Sequence, residues 1–87
     1  METYMVERSL QGIAMGDLAA AQKRAIETAA RMSREGTPVR YVRSVFVPES
    51  GQCMCLFQGS SAGDVERLNR EAGIPFTRVV QAMDLSP

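Results

Sequence analysis

Val39-Arg40-Tyr41-Val42-Arg43-Ser44-Val45-Phe46-Val47 is followed by Pro48-Glu49-Ser50-Gly51 and then by Gln52-Cys53-Met54-Cys55-Leu56-Phe57-Gln58. The first run is rich in β-branched and aromatic residues, the tetrapeptide is turn chemistry, and the second run is again apolar. The stretch reads as a β-hairpin. A helix is expected on either side of it. Upstream, Leu18, Ala21, Gln22, Ala25, Ala29 and Met32 recur at helical spacing between Asp17 and Glu35, while Lys23, Arg24, Glu27, Arg31 and Arg34 fall mainly on the other face. Asp17 is the expected N-cap, and Gly36 with Pro38 ends the helix. Downstream, Ser61 and Asp64 have the spacing of a capping box. Val65, Leu68 and Ala72 form one apolar stripe before Gly73 and Pro75 stop the second helix. Thr3 to Ser9 and Thr77 to Met83 supply two outer strands. The order βαββαβ predicts a single α+β domain over residues 1–87. Its fold is ferredoxin-like, a four-stranded antiparallel sheet with both helices on one face.

The 87-residue length leaves room for one core only. Ten Lys and Arg balance ten Asp and Glu, so no net field recruits nucleic acid or an anionic membrane. The absence of histidine excludes Ser-His-Asp and Cys-His catalysis and the commonest zinc sites. No apolar run reaches the ~20 residues of a membrane span, and the N-terminus shows no targeting pattern. A cytoplasmic, soluble protein is the expectation. Cys53 and Cys55 share one face of a strand with parallel side chains and Cα atoms ~6.6 Å apart. This arrangement does not suit a disulfide, and free thiols fit a reducing compartment.

Alternation along the strands divides the two sheet faces. Tyr4 and Val6 form one apolar set, with Met5 and Glu7 opposite. On the hairpin, Val42, Phe46, Met54 and Leu56 are expected toward the helices, and Tyr41, Arg43, Val45, Cys53, Cys55 and Phe57 on the open face. On the last strand Val80 and Ala82 are expected inward, and Val79, Gln81 and Met83 outward. An open face this apolar calls for a partner, most simply a second copy packed sheet to sheet around a pocket.

Tyr4-Met5-Val6-Glu7-Arg8, Val39 to Ser44, Cys55-Leu56-Phe57-Gln58, Ala72-Gly73-Ile74-Pro75 and Arg78-Val79 resemble a family of small bacterial ferredoxin-like domains of unknown function. Its best described members are nickel-binding, nickel-responsive proteins. The resemblance covers nearly the whole chain and implies a homodimer and nickel. Relatives usually carry histidine where this chain has Arg43, often glutamate in place of Gln81, and in many cases a histidine near Leu68. A guanidinium at the position of a neutral ligand repels a divalent ion and prefers a carboxylate. The family therefore implies nickel, while the residues of this chain argue against it.

The first functional expectation is a homodimeric binding domain. Its open-face pocket is lined by Glu7, Tyr41, Arg43, Cys55 and Gln81 and takes a small organic ligand, with a carboxylate against Arg43. The second is a cofactor-free cyclase, isomerase or monooxygenase with Glu7 as general base and Tyr41 or Arg43 against developing oxyanion charge. The third keeps nickel or zinc on Cys53, Cys55 and Glu7. No phosphate-binding glycine loop is present.

Overall fold

The computed structural model describes residues Met1 to Pro87. Six elements follow in order: β1 (Glu2–Ser9), α1 (Met15–Arg34), β2 (Val39–Val47), β3 (Gln52–Gly59), α2 (Ala62–Glu71) and β4 (Arg78–Ala82). All strand pairs are antiparallel and the sheet order is β2-β3-β1-β4, as expected of the ferredoxin-like fold. No helix is long and apolar enough to cross a membrane.

Local chemistry sets the element ends. Ser61 caps α2, its hydroxyl accepting from the Asp64 backbone N–H at 3.2 Å. Asp17 does not cap α1, which begins two residues earlier, after Ala14, with no side-chain cap. Asp17 lies instead in the first turn, where a carboxylate still favours the positive end of the helix dipole. Both helices stop on a left-handed glycine. Gly36 and Thr37 bond back to Ser33 and Met32, and Gly73 and Ile74 to Arg70 and Asn69. Both are Schellman closures.

The core lies between the sheet and the helices. Ala21, Ala25, Ala29 and Met32 of α1 and Val65 and Leu68 of α2 are buried against Tyr4 and Val6 of β1 and Cys53, Cys55 and Phe57 of β3. This corrects the expected faces. Cys53, Cys55 and Phe57 point to the helices, whereas Met54 and Leu56 are half-buried and lie opposite. On β4, Val79 pairs with buried Val6 and packs on the core, whereas Val80 pairs with Met5 on the open side. Gln81 pairs with buried Tyr4 and so shares the helix-facing side, though it is itself exposed.

Between Tyr41 and Arg43 the register shifts: Tyr41 pairs with Phe57 and Arg43 with Leu56, leaving Val42 as the extra residue of a β-bulge. The bulge resets the alternation. Arg43 and Val45 stay on the open face as expected, and Phe46 faces the helices. Tyr41 also turns inward, edge-on to Phe57 with ring centroids 5.5 Å apart.

Candidate functional site

Without the bulge, residues three apart on a strand would point to opposite faces. With it, Tyr41 and Ser44 face the same way and their hydroxyl oxygens lie 2.6 Å apart. Ser44 donates to Cys55 Sγ at 2.9 Å, so the Tyr41 hydroxyl is the one that donates to Ser44. Gln22 of α1 in turn donates to Tyr41 at 3.0 Å. Cys55 Sγ is 3.7 Å from Cys53 Sγ. A chain of polar groups thus runs from exposed Gln22 to two buried, free thiols. Burial pushes the Cys53 thiol up to about 11, and the adjacent Cys55 adds to the effect, while the nearby Arg8 guanidinium pulls the other way. Cys53 is therefore a neutral thiol at physiological pH.

Arg8 closes the inner end of this chain of groups. It continues the parity of Tyr4 and Val6, is only 4% exposed, and pairs in register with Cys53. Its guanidinium donates to Asn69 Oδ1 at 2.8 Å and to the Pro75 carbonyl at 3.2 Å. Neither partner carries a charge.

Together these side chains wall a cavity of about 190 Å³ between α1 and the sheet. Leu10, Leu18, Ala25, Phe46 and Ile74 make most of the remaining surface apolar. Alanines at Ala21 and Ala25 keep the space open, because larger residues there would fill it.

The five residues expected to share one pocket are dispersed. Tyr41 and Cys55 line the cavity, joined there by Cys53. Glu7 lies on the open face, ion-paired with Arg78 of β4. Arg43 is also on the open face, paired with Asp84 beyond β4. Since β2 and β4 are opposite edges of the sheet, the chain after β4 must turn back beneath that face to make this contact. Gln81 binds Glu2 at 2.6 Å, away from all of them. A general base at Glu7 and an oxyanion donor at Tyr41 are thus on opposite sides of the sheet. The residues that sequence reasoning missed are Arg8, Ser44 and Gln22. Arg8 carried a signal, since its place in the Tyr4, Val6, Arg8 series sets it on the apolar face. Ser44 carried none, because only the bulge turns it toward the thiols.

The nickel chemistry implied by resemblance finds no suitable donor set. No three His, Cys, Asp or Glu side chains converge anywhere in the molecule. Glu7, the carboxylate once grouped with Cys53 and Cys55, is separated from them by the sheet and neutralised by Arg78. The charged neighbour of the thiols is the cation Arg8. These residues do not fit a nickel centre.

Comparison with known proteins agrees with the fold and the resemblance. The crystal structure of SCO4226 from Streptomyces coelicolor A3(2) superposes with a TM-score of 0.79 at 22% identity, covering 97% of this chain and 99% of that one. At that identity the likeness speaks for the fold alone. A search of curated proteins gave no match. The model of the family described as nickel responsive protein SCO4226-like matches residues 4–81, nearly the whole domain. The chain belongs to that SCO4226-like family.

Proposed function

We propose that this domain binds a small organic molecule in the cavity beneath α1, and that two copies associate through their open sheet faces. The observation that carries the reading is the cavity itself. Its walls are mostly apolar, with a buried cation, a hydroxyl pair and two thiols at defined positions. Its size limits the ligand. Drug-sized pockets run to roughly 300–1,000 Å³, whereas a cavity of ~150 Å³ holds a benzene molecule. About 190 Å³ therefore suits a single ring or a short branched chain. Arg8 has only neutral acceptors, so an acidic group on the ligand is favoured over a basic one. The carboxylate expected for Arg43 is thereby reassigned to Arg8, because Arg43 already holds Asp84.

The test is titration of ¹⁵N-labelled protein with benzoate, benzyl alcohol and benzylamine, followed by amide shifts. Benzoate is expected to move the amides of Ser44, Cys53, Cys55 and Phe46 in a saturable way, and benzylamine to move them least. Leu18→Trp, which fills the cavity from α1, should abolish the response while keeping the fold. Unmoved cavity amides with all three probes would overturn the reading.

A further inference from the structure

The sulfur atoms of Cys53 and Cys55 lie 3.7 Å apart on the cavity wall. An S–S bond would require ~2.05 Å. A single atom bonded to both sulfurs at about 2.3 Å would instead see them at an angle of about 107°. That is the angle of a pyramidal or tetrahedral centre. A linear two-coordinate ion at the same bond length needs sulfurs ~4.6 Å apart, wider than the strand sets them. A tetrahedral dication needs two further donors. Besides two hydroxyls already bonded to one another, the wall offers only the amide of exposed Gln22, which is turned to Tyr41, and the Arg8 guanidinium repels a dication. A trivalent arsenic atom bearing one organic group is complete with two sulfurs.

The organic group also has a seat. The cavity of about 190 Å³ exceeds the ~150 Å³ that accommodates benzene, so a phenyl ring fits beside the thiols. We propose that Cys53 and Cys55 form a capture site for trivalent organoarsenicals, with arsenic held by both sulfurs and its organic group in the cavity. The proposal rests on the preceding reading only for the seat of that group. With an arsine oxide, two As–S bonds form while the As=O bond and both S–H bonds break. The oxygen leaves as water with the two thiol protons. Arsenic stays trivalent and nothing is oxidised. Reactants and product are all neutral, so no new charge enters an apolar site. Ser44, donating to Cys55 Sγ at 2.9 Å, fixes the position of that sulfur on the cavity wall.

The probe is phenylarsine oxide added to the reduced chain, followed by excess glutathione and intact-mass analysis. One phenylarsenic group per chain should survive glutathione and be removed by 2,3-dimercaptopropanol, and it should raise the melting temperature. Cys53→Ala and Cys55→Ala should each reduce retention to background. Because both positions are in the core, alkylation mapping of wild-type protein provides a second readout, with both cysteines blocked in the adduct and both free after dithiol treatment. Loss of the group to glutathione, or attachment outside Cys53 and Cys55, would overturn the proposal. Inorganic arsenite separates the two readings. Capture of arsenite without phenylarsine oxide would overturn the organoarsenical site together with the cavity. Capture of neither, with benzoate still shifting the cavity amides, would overturn the thiol site alone.

Discussion

Asn69 has no exposed surface, and both ends of its amide are engaged. Nδ2 donates to the Val65 carbonyl at 2.8 Å, while Oδ1 accepts from Arg8 at 2.8 Å. Alanine at this position would leave the buried guanidinium with Pro75 as its remaining acceptor. Hydrogen bonds to charged groups contribute ~1.5–3 kcal/mol, and an unsatisfied buried donor adds a desolvation cost, so Asn69→Ala should destabilise by about 3 kcal/mol in urea denaturation. A loss below ~1 kcal/mol would mean that Arg8 is satisfied without Asn69. A second residue-scale consequence concerns pH. The Cys53 thiol is raised from 9.0 to about 11, so folding favours its protonated form. The associated stability is full below pH 9.0 and is lost as pH rises toward about 11. Melting curves of wild type and Cys53→Ala should therefore converge over that window, with wild type falling faster. Parallel curves would show that the thiol is more solvated than its burial implies.

At the scale of elements, the β2–β3 turn is held by a close approach. Gly51 has φ +76°, and a Cβ built on it would lie 2.3 Å from the Gln11 Cα. Its carbonyl accepts from the Leu10 N–H at 2.7 Å, tying the turn to the end of β1. Gly36 has φ +99° but open space around it. Gly36→Ala should therefore cost only the left-handed penalty, ~1–2 kcal/mol. Gly51→Ala should cost distinctly more, because backbone must move. Equal losses in chemical denaturation would show that the turn shifts freely. The order and type of all six elements were legible in the sequence, because caps, glycine stops and helical periodicity act locally. The face of β3 was harder to read. Cys53 to Phe57 is apolar at every position, so alternation there has no contrast. The contrast lay at the ends, where Gln52 and Gln58 share the parity of Met54 and Leu56 and mark that side as the wetter one. Nothing local announced the bulge at Val42, which arises from pairing against β3 and carries Tyr41 into the cavity. The sequence thus singled out Tyr41, Cys53 and Cys55 but set them on the open face, and the contacts that join them beneath α1 were illegible.

For the whole molecule, the open face is the surface left to explain. Met5, Met54, Leu56 and Val80 are half-buried there, and Val45 is 56% exposed. The pairs Glu7–Arg78 and Arg43–Asp84 involve charges on the same face. An apolar centre with charged groups around it matches the anatomy of an interface. Balanced charge places no electrostatic barrier between two copies. Size decides how strong the association is. Four strands at ~4.8 Å spacing and about six residues at ~3.3 Å rise give a face of roughly 400 Å² in projection, which falls toward the small end of specific interfaces. A concentration-dependent dimer is expected, measured by sedimentation equilibrium. Leu56→Arg puts a charge at the centre of the patch and should leave a monomer with unchanged circular dichroism. Ala20→Arg, on the exposed side of α1, should leave the association intact. A monomer at every concentration would overturn the association, and a dimer indifferent to Leu56→Arg but broken by Ala20→Arg would move the contact from the sheet to the helices.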